Sequence, residues 1–402
     1  MLLLVTVVLW AVVIVADAGG IPQSVHRQIL RALCVVRSGD CEQDRMPCPV
    51  ATDRRRDAAA ARILVFRLGK DKTIVREERS DGSIAITVAY GREAGLETGD
   101  GVRVSLAFGH GGLSLGGELT AAAVASREHG YTWVLHDSRA ADALVGRLGV
   151  SRGELERLVA ARRLPAPSLH YEQGGVRVQG LLSRGGLVNA TLGMSSQDVS
   201  GTRVDERTGR TTFYVQRTVD GSLSLTREGH GATGSRNDRE RYAVTYDARG
   251  LPSDLMVMTT GTYRLSVDLP NRLQPAAGLL SAPTGHGRIY VEETHLDLTD
   301  PENLRLAAAF LEQVRHPDAL KFGPAVAVAA ALRQRLDVAG VVHARTYDSD
   351  ERRYGFDAAA GVRGIRIGGE FSRTHEDTRL VAATTRGLDG VWRERSDCLA
   401  RT

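Results

Sequence analysis

The stretch TIVREERSDGSIAITVAY, residues 73–90, carries the clearest local signal in the chain. Two runs rich in β-branched residues flank Asp81-Gly82, and an Asp-Gly pair between such runs is a strong indicator of a hairpin. The segment therefore predicts two antiparallel strands joined by a tight turn at Asp81-Gly82.

Strand signals continue after this hairpin. Apolar residues at 102, 104, 106 and 108 alternate with Arg103, Ser105 and Ala107, which is the period of a strand with one buried face. Gly-Val-Arg-Val occurs at 101–104 and at 175–178, and Gly-Gly-Leu begins ten residues after the start of each copy, at 111 and at 185. A second Asp-Gly pair lies at Asp220-Gly221. We expect one strand–turn–strand device, used repeatedly in a large antiparallel sheet, with another hairpin turn at Asp220-Gly221.

Helical signals interrupt the strands. Residues 138–163 predict two short helices that end before Pro165-Ala166-Pro167, and further helices are predicted from Pro301 and from Pro324 to about Leu336. The candidate caps are Ser138, Ser151 and Thr299. The order of strands and helices predicts an α+β fold, rich in β structure, with an N-terminal helix before a large antiparallel sheet body.

This order also suggests a domain organisation. Residues 1–37 form a membrane or signal segment with an amphipathic helix, and residues 38–61 form a cysteine-containing linker. A first β-rich domain covers 62–167, and a second covers 168–402 with helices near 300–336. Within the linker, residues 50–61 are expected to be solvated.

The N-terminal segment is apolar from Met1 to Ala16 except for Thr6, and Asp17 ends the run. Sixteen helical residues span about 24 Å, which is short of a hydrocarbon core. The segment is either a signal peptide cleaved after Ala18 or an uncleaved anchor. Apolar residues then recur at helical spacing, at Ile21, Val25, Ile29, Leu30 and Leu33.

Four cysteines, Cys34, Cys41, Cys48 and Cys398, lack the close pairing of a zinc site. An even number in an exported chain favours two disulfides, with three connectivities possible and free thiols as the alternative. Cys34 and Cys41 can join across a short turn, which leaves Cys48 to pair with Cys398.

The apolar half, the amphipathic half and the motifs Gly39-Asp40-Cys41 and Pro47-Cys48-Pro49 resemble one family. Residues 1 to about 50 are similar to the Flp/TadE-type pilin-like N-termini of exported actinobacterial proteins. The resemblance implies a location in the cell envelope and implies no activity.

Candidate sites are few. Gly112-Leu113-Ser114-Leu115-Gly116 fits the pattern of a nucleophile elbow, and His110 precedes it, but the elbow overlaps the oxyanion glycines. Ser114 and His110 are therefore weak catalytic candidates, and a glycine-rich turn is the preferred interpretation. Asp348, Asp350 and Glu351 lack the pattern of a calcium loop, and residues 229–235 lack the lysine of a phosphate loop. We predict no metal and no cofactor.

The composition excludes one class of partner. A net charge of +4, spread along the chain, is not the basic stripe of a nucleic-acid-binding protein. The first hypothesis is a noncatalytic exported envelope or surface protein, tethered to the membrane by its N-terminal segment and open to protein partners. The alternative is a secreted effector, a toxin-related protein or a hydrolase. A third, an outer-membrane β-barrel, is disfavoured by 5% aromatic content and by the interior helices.

Overall fold

The computed structural model describes residues 46–399 apart from 64–65, 98–101, 108–113, 185–188, 228–229, 269–279, 316–323 and 363–364. The chain divides into two compact units. The barrel unit comprises Pro47–Thr294, His343–Thr384 and Glu394–Thr402, and the second unit, here the helical unit, includes His295–Val342 and Thr385–Arg393.

Fourteen strands make one antiparallel sheet in the described part of the chain. They are β1 (Pro49–Ile63), β2 (Phe66–Arg79), β3 (Ile84–Glu97), β4 (Val102–Ala107), β5 (Ser114–Leu135), β6 (Leu169–Arg184), β7 (Asn189–Asp205), β8 (Arg210–Arg227), β9 (His230–Tyr246), β10 (Pro252–Asp268), β11 (Leu280–Asp297), β12 (Val341–Val362), β13 (Ile365–Arg386) and β14 (Trp392–Glu394).

The sheet closes on itself. Each strand of the wall pairs with the next along the chain, and β1 pairs with β13 from Ala51 opposite Arg379 to Ile63 opposite Ile367. Strands β3 and β4 both pair with β5 and share one position, and the short β14 pairs with β13 after the closure of β1 on β13, so twelve strands form the closed wall. The predicted α+β sheet body is therefore wrong: this is an antiparallel β-barrel, whose closure removes the exposed edges of an open sheet.

The first strand corrects the predicted linker. Residues 50–61 lie within β1 and pair with strands on both sides. Arg54 and Arg56 face the lumen, whereas Asp53, Arg55 and Asp57 alternate with them and face outward. Because both faces of this strand are polar from Thr52 to Asp57 and alanine occupies both faces from Ala58 to Ala61, its sequence has no hydrophobic alternation from which a strand could be recognised.

The two Asp-Gly pairs have different structures. Gly82 has a φ of 83°, and the Asp81 carboxylate accepts a hydrogen bond from Ser83 N at 2.8 Å, which confirms the predicted hairpin turn. Asp220-Gly221 lies inside β8, so the turn predicted there is wrong. Ser195 Oγ of β7 donates to Asp220 Oδ2 at 2.8 Å, and both side chains face the lumen.

Two helices follow β5, as predicted: α1 (Ser138–Arg147) and α2 (Arg152–Ala160). Ser151 caps α2, but Asp137 rather than Ser138 caps α1. The helices pack against the outward side chains of β3 and β5 through one buried cluster. Its members are Ile84, Ile86, Val88, Trp133, Ala141, Leu144, Leu148, Leu155 and Leu164.

The helical unit contains α3 (Pro301–Arg315) and α4 (Pro324–Ala339), both near their predicted positions. Asp300, not Thr299, accepts hydrogen bonds from the first turn of α3, at 2.8 Å from Glu302 N and 3.1 Å from Asn303 N. Asn303 also accepts a hydrogen bond from Arg335 Nε at 2.6 Å. No helix among the described residues is long and apolar enough to cross a membrane.

A disulfide joins Cys48 to Cys398, with 5.7 Å between the α-carbons, as predicted. Cys398 lies in a short helix, α5 (Ser396–Leu399), and packs with lumen-facing Tyr347 and Leu380 in a buried apolar cluster. We call this the disulfide end of the barrel, and the opposite end the far end. Cys34, Cys41 and the predicted N-terminal segment, residues 1–45, lie outside the described residues.

Candidate functional site

The residues singled out from the sequence do not form a catalytic centre in the described structure. Ser114 is the first residue of β5, where its backbone pairs with Ala107, and His110 lies outside the described residues. Asp348 and Asp350 face outward and pair with Arg288 and His286, whereas Glu351 faces the lumen. The three acids therefore lie on opposite sides of the wall and cannot share a calcium ion.

One outward cluster has metal-ligand chemistry. Among the described residues, the side chains of Asp53, His375 and Asp377 lie within reach of one another, with His375 Nε2 at 3.1 Å from Asp53 and 3.3 Å from Asp377. Arg55 also binds the Asp53 carboxylate at 2.9 Å. Because a guanidinium already neutralises part of this cluster, ion pairing accounts for the arrangement.

On every strand of the wall except β10, charged side chains face outward along the half nearer the disulfide end. Charged residues on neighbouring strands lie directly opposite one another: Asp57 opposite Arg373, Arg92 opposite Arg127 and Arg217 opposite Glu240. Toward the far end, each of these strands has a last charged outward residue, after which no described outward side chain is charged. We call the last charged outward residues of the described strands the charge ring: Asp57, Lys70, Arg92, Arg127, Glu172, Asp198, Arg217, Arg236, His286, Arg352 and Arg373.

Beyond the charge ring, toward the far end, the outward side chains become apolar. None of the outward positions described there is charged, and Ala59, Ala94 and Ala125 are exposed on three strands. Larger apolar side chains are each between 42% and 63% exposed. We call these the apolar belt: Leu68, Leu96, Val176, Val178, Leu192, Met194, Val219, Leu223 and Leu265.

Tyrosines lie at the border between charge ring and apolar belt. Tyr263 pairs in register with Arg236 and lies under its guanidinium at 5.2 Å. Its ring contacts Tyr290 of β11 edge-to-face, with 6.2 Å between the centroids. Tyr290 and Tyr354 are also about half exposed, at 44% and 50%. Amphipathic aromatic side chains at such a border are typical of a membrane–water interface.

The lumen is polar and contains a cavity of about 850 Å³. Several of the arginines in its lining are neutralised by carboxylates: Arg56 binds Asp71 at 2.9 Å, and Arg264 binds both Glu351 and Glu376. These pairs cross between strands and fix lumen-facing side chains against one another.

A second network surrounds Glu128 of β5. Tyr171 Oη donates to the Glu128 carboxylate at 2.6 Å, and Gln173 Nε2 donates to it at 2.9 Å. Tyr214 Oη donates to Gln173 Oε1 at 2.8 Å. Burial raises the pKa of Tyr214 to about 12, so its hydroxyl is a donor at neutral pH.

Five of the arginines that line the cavity have no carboxylate partner among the described residues: Arg54, Arg203, Arg239, Arg241 and Arg353. Enclosure by the barrel, together with the charges of Arg54 and Arg241, lowers the pKa of Arg239 to about 10. Enclosure also lowers the pKa of Arg241, and Arg203 adds to the effect. Even with this lowered pKa, Arg239 carries its positive charge at neutral pH.

No protein-family model matches the chain, and no curated protein matches it in sequence. Solved structures of β-barrels are similar in outline. The match to the β-domain of the Bordetella autotransporter BrkA includes 82% of this chain and 99% of the BrkA domain, at 8% sequence identity and a TM-score of 0.26. The translocator domain of autotransporter NalP from Neisseria meningitidis covers 91% and 98%, at 9% identity and 0.25. The Pseudomonas putida toluene transporter TodX covers 86% and 93%, at 9% identity and 0.23. At such TM-scores the role of the barrel must be argued from its own residues.

Proposed function

We propose that this chain is a noncatalytic envelope protein whose barrel is embedded in a lipid layer by the apolar belt. One observation carries the proposal: the charge ring divides the outer wall into a charged half and an apolar half, while the lumen stays polar. A wall that is apolar outside and polar inside is the pattern of membrane β-barrels.

The energetic argument compares the two halves of the wall. An arginine or lysine facing lipid at the middle of a bilayer costs about 2–4 kcal/mol, and much less near the interface. The ion pairs between Asp57 and Arg373 and between Asp198 and Arg217 are exposed on the charged half, which therefore belongs in water. In water, the belt residues Leu223 and Leu265 would instead form part of a large exposed apolar surface.

Strand length fits the same division. A membrane-spanning strand needs about 9–11 tilted residues. In β8, the part beyond Arg217 of the charge ring runs from Thr218 to Arg227, which matches that requirement. The charged half then projects from the lipid with α1 and α2 packed on it, so these helices do not interrupt the belt.

The proposal keeps the envelope location of the first sequence hypothesis and changes the means of attachment. The disulfide between Cys48 and Cys398 supports folding in an oxidising compartment outside the cytoplasm. The apolar N-terminal segment then acts in export or as an additional anchor, whereas the belt provides the main contact with lipid.

Vesicle flotation tests the proposal with a matched pair of variants on one strand. Leu223 and Phe213 both face outward from β8 and are 47% and 51% exposed, but only Leu223 lies beyond the charge ring. We expect the purified full chain and Phe213→Arg to float with phospholipid vesicles. Leu223→Arg should lose most of that binding, because the charge would enter hydrocarbon.

Far-UV circular dichroism and the mobility of the oxidised chain would verify that each variant is folded. Equal flotation of Leu223→Arg and the unaltered chain would contradict the proposal, as would failure of the unaltered chain to float. Leu265→Arg, on β10, provides an independent second position if Leu223→Arg does not fold.

A further inference from the structure

We propose that Arg54, Arg203, Arg239 and Arg241 form a binding site in the lumen for a small anionic solute carrying phosphate or carboxylate groups. The inference goes beyond embedding in lipid, since it concerns only the interior of the barrel. It would hold equally if the belt contacted something other than lipid.

The four arginines line one cavity. Arg54 comes from β1, Arg203 from β7, and Arg239 and Arg241 from β9, so strands distant in sequence bring them together. At about 850 Å³, the cavity is within the range of small-molecule sites.

The cavity lining has an imbalance of charge. Nine arginines and six carboxylates line it, an excess of three positive charges. The carboxylates already have partners, since Glu77 binds Arg79 and Glu128 accepts hydrogen bonds from Tyr171 and Gln173. The excess positive charge therefore has no protein counter-charge available among the residues that line the cavity.

Individual contacts show which groups lack a partner. The buried Nε of Arg239 has no hydrogen-bond acceptor within the described part of the chain. Arg241 makes direct contacts with neutral groups among the described residues: its guanidinium donates to Gln216 Oε1 at 2.9 Å and lies 4.9 Å from the centroid of the Tyr214 ring. A buried guanidinium without a carboxylate is costly, and a bound anion would remove that cost.

The same groups suggest the chemistry of the ligand. Guanidinium groups present paired N–H donors that match the oxygens of phosphate and carboxylate. Burial, and then repulsion from Arg54 and Arg241, lowers the pKa of Arg239, and an anion lying among the three guanidinium groups weakens that repulsion. Gln216, Thr218 and Ser222 also line the cavity, and a lining this polar favours a polar ligand over a hydrocarbon.

Titration calorimetry on the full chain in neutral detergent, with pyrophosphate and with citrate as separate probes, tests the site. We expect saturable binding of at least one probe, and roughly tenfold or greater loss of affinity in Arg239→Gln and Arg241→Gln. Arg217→Gln is the matched control, because Arg217 follows Gln216 but faces outward and pairs with Asp198. It should bind as the unaltered chain does.

Thermal unfolding separates a binding role from a structural one. Without anion, Arg239→Gln should melt at the same or a higher temperature, because a repelled charge is removed. With the probe, only the unaltered chain and Arg217→Gln should gain stability. If Arg239→Gln fails to fold, Arg54→Gln makes the same test, since Arg54 is exposed to the lumen. No saturable binding of either probe, binding of anionic lipid alone, or equal loss in Arg217→Gln would overturn the proposal.

Discussion

At the scale of single residues, close packing in the lumen depends on glycines that accept a neighbouring ring. Gly130 of β5 lies opposite Tyr171 of β6, and a Cβ at Gly130 would overlap the tyrosine ring. The same ring holds its hydroxyl against Glu128. The glycine therefore positions the aromatic member of the lumen network.

We expect Gly130→Ala to lower the free energy of unfolding by about 1–3 kcal/mol, because the methyl group forces the Tyr171 ring from its position. Urea denaturation of the full chain would measure the change. Gly221→Ala on β8 is the control, since a methyl group at Gly221 would have no neighbouring atom within 4 Å. If Gly130→Ala costs no more than Gly221→Ala, the ring does not depend on this glycine.

At the scale of elements, α2 is attached to the barrel wall through polar contacts as well as its buried leucines. Glu156 accepts hydrogen bonds from Tyr131 Oη of β5 and from Arg152 Nε, each at 2.7 Å. The hydrogen bond from Tyr131, and then that from Arg152, lowers the pKa of the Glu156 carboxyl. Its contribution to stability is present above the ordinary glutamate pKa and is lost as pH falls through the lowered value.

Acid should therefore weaken the attachment of α2. We expect the unaltered chain to lose slightly more stability between neutral pH and pH 3 than Glu156→Gln does. The difference should stay below about 1 kcal/mol, because Glu156 is largely in contact with solvent. Tyr131→Phe should show the same reduced pH dependence in urea titrations at several pH values. Identical pH profiles for all three proteins would refute this role.

The hydrophobic contact of these helices is the larger contribution. Leu148 and Leu155 are fully buried between the helices and the wall. Leu155→Ala should cost about 2–5 kcal/mol in thermal or urea unfolding, through lost burial and the cavity that remains. Leu158→Ala, at a position only partly buried in the same helix, should cost clearly less. Equal costs would mean that α2 does not dock as described.

At the scale of the whole molecule, one covalent bond links the first strand of the wall to the end of the chain. The Cys48–Cys398 disulfide joins residues separated by 350 positions. It holds the start of β1 beside α5, where Cys48 and Cys398 lie in one buried apolar cluster. A cross-link over so long a loop removes much of the conformational entropy of the unfolded chain.

We expect Cys398→Ser to destabilise the protein by up to about 5 kcal/mol, the upper end of the range for a long loop. Chemical reduction of the unaltered chain should lower its melting temperature as much as the Cys398→Ser substitution does. Reduction should have little further effect on Cys398→Ser. Peptide mapping without reduction should recover the peptide that joins Cys48 to Cys398. An alkylated free thiol at Cys398 in the native protein would contradict the bond.

Local chemistry in the sequence determined several features by itself. The turn at Asp81-Gly82, the cap at Ser151 and the helices near 138–163 and 301–336 follow from preferences of adjacent residues, which act over one or two turns of chain. The pairing of Cys48 with Cys398 was preferred among three possible connectivities because Cys34 and Cys41 can join across a short turn, and the structure confirms it. These predictions need no knowledge of what lies across the molecule.

Only the tertiary structure decided that the strands close into a barrel. Closure depends on the pairing of β1 with β13, more than 300 residues apart, and no local signal specifies it. It also decided which face of each strand is the lumen. Because the lumen is polar, the lumen face of β1 carries Arg54 and Arg56 opposite an outward face that carries charges from Asp53 to Asp57. For the same reason, Asp220 makes a hydrogen bond in the lumen instead of forming a turn with Gly221. The unpaired arginines and the apolar belt exist only once closure has given the wall an inside and an outside.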